Sequence, residues 1–247
     1  MLTIIGIGLI AGVLIGSVGI GGVIVAPALT YLVGFDIRTA IGAALIGFGF
    51  SGIVGTLRYQ RHGAIEWSTA RTLVLSALPA AVVGAYSVRV TPELMLKCIL
   101  GAVVVASGFY GLVGSSKRET GISGALSSRQ IGAIGFVTGY GSVITGTGGP
   151  LLLVPIMVWL QQPILWSIGL SQVIQLPISL SATATNIELL PDAATCIALA
   201  IALAVGSWGG SYIAHAVSQE SLKRVVSYLL VAVGFGIVVD VSARMAF

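Results

Sequence analysis

Charge is the scarcest property of this chain. Of 247 residues only 20 are charged, 12 Lys or Arg and 8 Asp or Glu, against about 25% in soluble domains. So few solvated groups cannot coat a compact body of this size, which excludes a water-soluble globule. Cysteine is nearly absent. Cys98 and Cys196 lie in or beside apolar runs, too few for a disulfide framework or a four-ligand metal site, and they read as small apolar side chains. Histidine is equally rare, with His62 and His215 near segment ends. No Asp, Glu or His stands clearly at the middle of an apolar run, which argues against a dedicated proton relay. Arg58 and Asp240 also fall near segment ends, where an interfacial position accounts for them.

The motifs of enzyme chemistry are missing too. There is no paired-carboxylate motif at mid-depth, no His-x-x-Glu-His run, no phosphate loop and no Gly-x-Ser-x-Gly element. The chain therefore reads as a non-enzyme without cofactor or metal, and as no ATP-driven pump on its own. Met1 to Ile15 lacks the basic stretch of a signal peptide. A net charge of +4 reads as basic cytoplasmic loops rather than a nucleic-acid surface.

What is present is apolar sequence. Hydrophobic residues make up 56% of the chain and mean hydropathy is +1.06, the signature of an all-α polytopic membrane protein. The stretches free of Asp, Glu, Lys and Arg are Met1–Phe35, Thr39–Leu57, Thr72–Val88, Cys98–Ser116, Gln130–Ile187, Ala193–Gln219 and Val225–Val239. Gln161-Gln162-Pro163 divides the longest in two, giving eight segments. The first and fifth are unusual. As one helix Met1–Phe35 would run about 52 Å, against a hydrocarbon core of about 30 Å. It is interrupted by Gly16-Ser17-Val18-Gly19-Ile20-Gly21-Gly22 with Pro27 beyond, and the fifth by Gly139-Tyr140-Gly141 and Thr145-Gly146-Thr147-Gly148-Gly149-Pro150 with Pro155 beyond. Each is expected to be a broken or re-entrant helix. Irregular backbone at membrane depth must face protein or a water-filled cavity, so the two breaks mark an internal cavity.

The breaks also point to a duplication. A shift of 127 places Gly12, Gly19, Gly21, Gly22 and Gly42 on Gly139, Gly146, Gly148, Gly149 and Gly169. A shift of 126 then places Gly84, Tyr86, Leu96, Lys97, Gly108 and Phe109 on Gly210, Tyr212, Leu222, Lys223, Gly234 and Phe235. Two four-segment repeats are expected, 1–114 and 129–247, with a polar linker at 115–128. If all eight segments cross, the repeats are parallel. If the first and fifth re-enter, the repeats are inverted and the 12 basic residues divide eight to four between the faces, a better fit to the positive-inside rule. The inverted arrangement is the favoured one.

Candidate site residues follow from the breaks. Glycines admit close approach of a ligand, and a helix restarting after them offers unpaired N–H groups and the positive end of its dipole, which attract anions. On this reasoning the first break contributes Ser17, Gly19, Gly21 and Gly22, and the second Ser142, Thr145, Gly146, Thr147, Gly148 and Gly149. Segment six adds Ser171, Gln172 and Gln175 at helical spacing, amide and hydroxyl donors that hold an anion without a buried formal charge. Segment two is nearly bare of polar groups from Gly42 to Phe50, so the site is expected to lean on the second repeat.

The glycine run 16–22 with Pro27, the Ala40–Gly42 region, the stretch Arg58-Tyr59-Gln60-Arg61-His62-Gly63-Ala64-Ile65-Glu66-Trp67 and the second-half copy Thr145–Pro155 together resemble the TauE/SafE sulfite exporter family, also called the toluene sulfonate uptake permeases. The resemblance extends over essentially the whole chain. It implies a small multi-pass protein of the bacterial inner membrane moving sulfite, sulfonates or related carboxylates. Relatives often carry hydroxyl residues where this chain has Ala43 and Ala44, and a further glycine near Thr147–Pro150. The cysteine-relay type of thiosulfate importer is a poor match for a chain with two cysteines. The expectation is a secondary transporter of a small anion within the lipid bilayer, with no nucleic-acid partner and homo-oligomer formation left open. An anion channel and a structural or assembly subunit are the alternatives.

Overall fold

A computed structural model describes residues 1–18, 22–61, 63–113, 126–160, 162–216, 227–228 and 231–239. Among these the chain is helical, with no strand. The elements in order are α1 (Leu2–Val18), α2 (Gly22–Ala28) with a π-helical extension (Leu29–Val33), α3 (Ile37–Arg61), α4 (Trp67–Val90), α5 (Glu93–Val113), α6 (Ser128–Thr145), α7 (Pro150–Trp159), α8 (Ile164–Thr185), a 3₁₀ turn (Ile187–Leu189), α9 (Ala193–Ala216) and a helical stretch at 231–239. The second long apolar run is broken at its glycine cluster, between α6 and α7; in the first, α1 and α2 flank residues 19–21, which lie outside the described residues. The expected linker falls almost wholly outside the described residues, as do Gly19, Gly21, His62 and Asp240.

Local chemistry sets the helix ends. Asp36 Oδ1 accepts the N–H groups of Arg38 and Thr39 at the start of α3, and Asp192 Oδ2 accepts the Thr195 N–H at the start of α9. Ser127 and Gln130 close a capping box on α6. Each satisfies donors that the first helical turn leaves open. Gly34, at φ +86°, ends the π turn after α2 in a conformation that favours glycine.

Among the described residues three helices are long and apolar enough to cross a bilayer: Ile37–Arg61, Trp67–Val90 and Ala193–Gly210. Leu75, Tyr86, Ile197, Ile201, Val205, Trp208 and Tyr212 are exposed. A surface so apolar is a liability in water and an ordinary one in lipid.

Packing follows the glycines. α1 lies alongside α9, α4 alongside α6, and α3 alongside α8. A Cβ on Gly12 would sit 2.5 Å from the Leu203 carbonyl oxygen, and one on Gly139 2.5 Å from that of Ala77. Such contacts let backbones approach and dispersion replace the missing hydrophobic drive between helices. Gly8, Gly12 and Gly16 meet Leu199, Leu203 and Ser207 in that order, so α1 and α9 run parallel; Gly135 and Gly139 meet Leu73 and Ala77, so α4 and α6 do too. In contrast Gly49, Gly52 and Gly55 meet Ser179, Gln175 and Gln172, so α3 and α8 run antiparallel. Gly101 meets Ile237 and Gly108 meets Val231, which makes α5 antiparallel to 231–239.

These directions define two faces. The ends of α3 and α9 and the starts of α4, α6 and α8 share one, called here the Arg58 face; the starts of α3, α5 and α9 and the ends of α4 and α8 share the other, the Arg38 face. On the latter every described cation is tied down. Arg38 donates to the Val88 and Thr91 carbonyls at 3.1 and 2.9 Å. Arg89 donates to Asn186 Oδ1 at 2.7 Å and lies 3.8 Å from Glu188. Buried Lys97 pairs with Glu93 at 2.8 Å.

Candidate functional site at the helix breaks

The two breaks meet. A Cβ on Gly22, the first residue of α2, would lie 2.6 Å from the Thr147 carbonyl oxygen. The start of α2 and the second break are therefore adjacent in space, although 125 residues separate Gly22 from Thr147 in sequence. Gly146, Gly148 and Gly149 make that possible in the second break, with φ of +60°, +77° and +108°, values that strain any residue bearing a Cβ.

The backbone donors of this turn divide into two sets. The Gly146 N–H bonds to the Val143 carbonyl at 3.2 Å and the Thr147 N–H to that of Ser142 at 3.0 Å, so both are engaged. The N–H groups of Gly148 and Gly149 make no hydrogen bond among the described residues. Leu152 and Leu153 both return to the Gly149 carbonyl, so α7 begins immediately after these two open donors. The expectation of uncapped amides therefore narrows from the whole 146–149 run to Gly148 and Gly149.

The hydroxyls divide likewise. Ser142 is fully buried and its Oγ has no partner among the described residues; a buried hydroxyl left so costs about 1–3 kcal/mol. Thr145 Oγ1 donates to the Gly141 carbonyl at 2.7 Å and lies 2.8 Å from Thr147 Oγ1. Ser17 donates back to the Val13 carbonyl at 2.7 Å and Ser171 to that of Ile168 at 2.7 Å, so neither offers its proton to a ligand in this arrangement. Such back-bonding within a helix is the usual competitor for a serine donor.

The glutamines of α8 form a directed chain with a residue from the other half. Ser51 Oγ donates to Gln175 Oε1 at 3.2 Å, and Gln175 Nε2 donates to Gln172 Oε1 at 2.8 Å. All three are buried. They fit because α3 presents glycine toward them: a Cβ on Gly52 would lie 2.7 Å from Gln175 Cβ, and one on Gly55 would overlap Gln172 Oε1. Ser51 is thus a contribution from segment two that sequence reasoning gave too little weight.

Phe48 is the second residue it missed. Its ring is fully buried, and a Cβ on Gly148 would fall 2.5 Å from Phe48 Cδ2, while one on Gly22 would fall 3.3 Å from its Cζ. The ring stands between the two breaks, with Ile41 against Gly146 and Ile174 against Gly149. The junction in this conformation is therefore packed with hydrocarbon. No sequence signal marks one aromatic among the apolar residues of α3.

Membrane-length helices, two broken segments meeting inside the protein and a polar network without formal charge at their junction define a polytopic membrane protein of the transporter class. The model of the TauE/SafE sulfite exporters matches residues 4–237, and the chain belongs to that family. It is similar to a probable membrane transporter protein of Methanocaldococcus jannaschii, 25% identical over 67% of this chain and 64% of that protein. A probable membrane transporter protein of Xylella fastidiosa is 27% identical over 42% of this chain and 41% of its own length. The match thus spans less than two thirds of those two relatives. The probable membrane transporter protein YunE of Bacillus subtilis is 24% identical over 91% of this chain and 90% of its own. No solved structure matches the chain.

Proposed function

We propose that this protein is a secondary transporter of a small oxyanion, of the sulfite, sulfonate or carboxylate kind, which binds where the broken segments meet. The observation that carries the reading is the pair of open N–H groups at Gly148 and Gly149, beside Gly22 of the other break, at the start of α7. Open amides at a helix start attract anions, and the Ser51–Gln175–Gln172 chain and Ser142 add neutral donors. An anion held this way needs no buried cation of its own. The family name supports sulfite as the first substrate to try.

Alternating access in this account comes from two inverted repeats, 1–114 and 129–247, rocking about the junction. Recurrent contacts support that organisation. Gly12 against Leu203 and Gly139 against Ala77 are related by the shifts of 127 and 126, as are Gly84 against Tyr140 and Gly210 against Val13. Glu66 accepts from Thr69 as Asp192 does from Thr195, again 126 apart. Counterpart segments α3 and α8 run antiparallel, which parallel repeats would not give. The Arg58 face carries Arg58, Arg61, Arg71 and Arg129 among described cations, and the Arg38 face carries three, each bonded as described. By the positive-inside rule the Arg58 face is cytoplasmic, in a bacterial inner membrane.

The test is uptake by purified protein in liposomes, with sulfite, taurine, sulfoacetate and small carboxylates as substrates. Saturable uptake with counterflow is expected. Large unitary currents would make the protein a channel, and inactivity toward every anion would leave it a structural or assembly subunit.

A further inference from the structure

The charge that the second break can hold follows from what surrounds its open donors. Among the described residues these are the N–H groups of Gly148 and Gly149 and the hydroxyl of Ser142. All are neutral. The packing around them is hydrocarbon: Phe48 meets Gly148, Ile41 meets Gly146 and Ile174 meets Gly149, and all three side chains are buried. Formal cations are remote. Arg38 and Arg58 stand towards the two ends of α3, ten residues either side of Phe48, which is about 15 Å each way along a helix. Across α2, α3, α6, α7 and α8, which form the junction, the ionisable side chains are Arg38, Arg58, Tyr59, Arg61, Arg129 and Tyr140, with no carboxylate or histidine.

Such surroundings weigh the valence of an anion. The cost of taking an ion out of water rises as the square of its charge, whereas its attraction to fixed neutral dipoles rises only in proportion. A second negative charge therefore raises the cost about fourfold and the return about twofold. The positive end of α7 adds about half an elementary charge beside Gly148 and Gly149, which offsets part of one negative charge and leaves a second uncompensated. Donor number points the same way. Two amides and one hydroxyl can each serve one oxygen of a sulfonate or of hydrogen sulfite. Sulfate brings a fourth oxygen along with its second charge, and an acceptor left unmet in a dry site is costly. A methyl group in place of that oxygen suits hydrocarbon neighbours such as Phe48 and Ile174.

We infer that the break selects by valence, taking oxyanions of a single charge and refusing dianions of the same size. Its ligands are then hydrogen sulfite, alkanesulfonates and monocarboxylates. Sulfite is held as the singly protonated ion, its proton drawn from solution and carried on the anion. Sulfate and sulfoacetate, with two charges, are refused. The inference rests on the anion site proposed above and adds which ionic form that site holds.

Methanesulfonate and sulfate provide the test, because they are nearly isosteric and differ by one charge. Each is titrated into the purified full-length protein in a fixed excess of sodium chloride, with the melting temperature as readout. Methanesulfonate is expected to raise it saturably, with a midpoint at least about tenfold below that of sulfate. The midpoint for total sulfite should rise roughly tenfold between about pH 6.5 and pH 8.5, as hydrogen sulfite gives way to the dianion. That of methanesulfonate, singly charged throughout, should stay within about twofold, which separates the ionisation of sulfite from any effect of pH on the protein. Ser142→Ala breaks no hydrogen bond among the described residues, and it should weaken methanesulfonate about tenfold. A sulfate midpoint closer than tenfold to that of methanesulfonate overturns the inference. So does a sulfite midpoint that rises less than threefold over that pH range, an absent response to both monoanions, or a Ser142→Ala protein that binds as wild type does. If the preference is found and liposomes take up no anion, the transport reading fails and the valence rule stands.

Discussion

Replacement of Gly148 by alanine probes the packing of the breaks most sharply. Two costs are separable. At φ +77° a residue with a Cβ occupies the left-handed region at about 1–2 kcal/mol. The new Cβ also falls 2.5 Å from Phe48 Cδ2 and 2.6 Å from Cγ, an overpacking of the kind that costs about 1–3 kcal/mol. Gly148→Ala should therefore destabilise by about 2–5 kcal/mol. Phe48→Ala alone should cost about 3–5 kcal/mol through the cavity it leaves. In the double variant the steric part vanishes and the backbone part remains, so the two costs should fall short of additivity by about 1–3 kcal/mol. Reversible unfolding in bicelles, read by steric trapping, measures all three proteins. Additivity within about 0.5 kcal/mol would refute the claim that Phe48 closes the junction against Gly148.

Other consequences follow from named contacts. Ser51→Ala removes the donor to Gln175 Oε1 and should cost about 1–3 kcal/mol in the same unfolding assay; a change below about 0.3 kcal/mol would mean that the chain is not fixed as described. Gly12→Ala and Gly139→Ala each drive a Cβ to 2.5 Å from a backbone carbonyl oxygen, so their destabilisations should agree to within about 1 kcal/mol, and a large disparity would contradict the proposed repeat symmetry. Asp36 answers to pH. Burial pushes its carboxyl up, but the Thr39 hydroxyl and N–H, the Arg38 N–H and the Arg38 guanidinium outweigh that and hold it below its ordinary value. A group depressed in the folded state contributes stability above its unfolded pKa and loses it as pH falls through the folded one. Melting curves should therefore show Asp36→Ala less stable than wild type by about 1 kcal/mol at pH 7, with the gap closing below about pH 4; a gap that widens in acid would reverse the assignment.

The breaks were legible because glycine clusters and prolines have few other uses inside an apolar run, and the segment boundaries followed from polar residues between runs. The breaks were expected to mark an internal cavity because irregular backbone at membrane depth must be covered, and the structure sets Gly22 against Thr147. What the sequence did not disclose depends on distance and on local competition. Ser51 and Gln175 are 124 residues apart, and nothing nearby in sequence signals that pair. Ser17 and Ser171 carry the right chemistry for donors, but their own helices capture the protons. Phe48 could not be told from its apolar neighbours until Gly148 and Gly22 were placed around it. Arg58 read as an interfacial anchor, and the rings of Trp208 and Tyr212 that stack on it come from α9, about 150 residues away.

The central claim is that open amides at the second break receive the anion. Protein labelled with carbonyl ¹³C in threonine and ¹⁵N in glycine gives signals only from Thr-Gly pairs, of which the chain has four, at Gly121, Gly139, Gly146 and Gly148. On titration with sulfite the Gly148 amide should shift saturably to lower field as it gains a charged acceptor, and the Gly121 signal, from the region between the two halves, should stay still. A Gly148 signal that does not move under conditions in which liposomes take up sulfite would contradict the account.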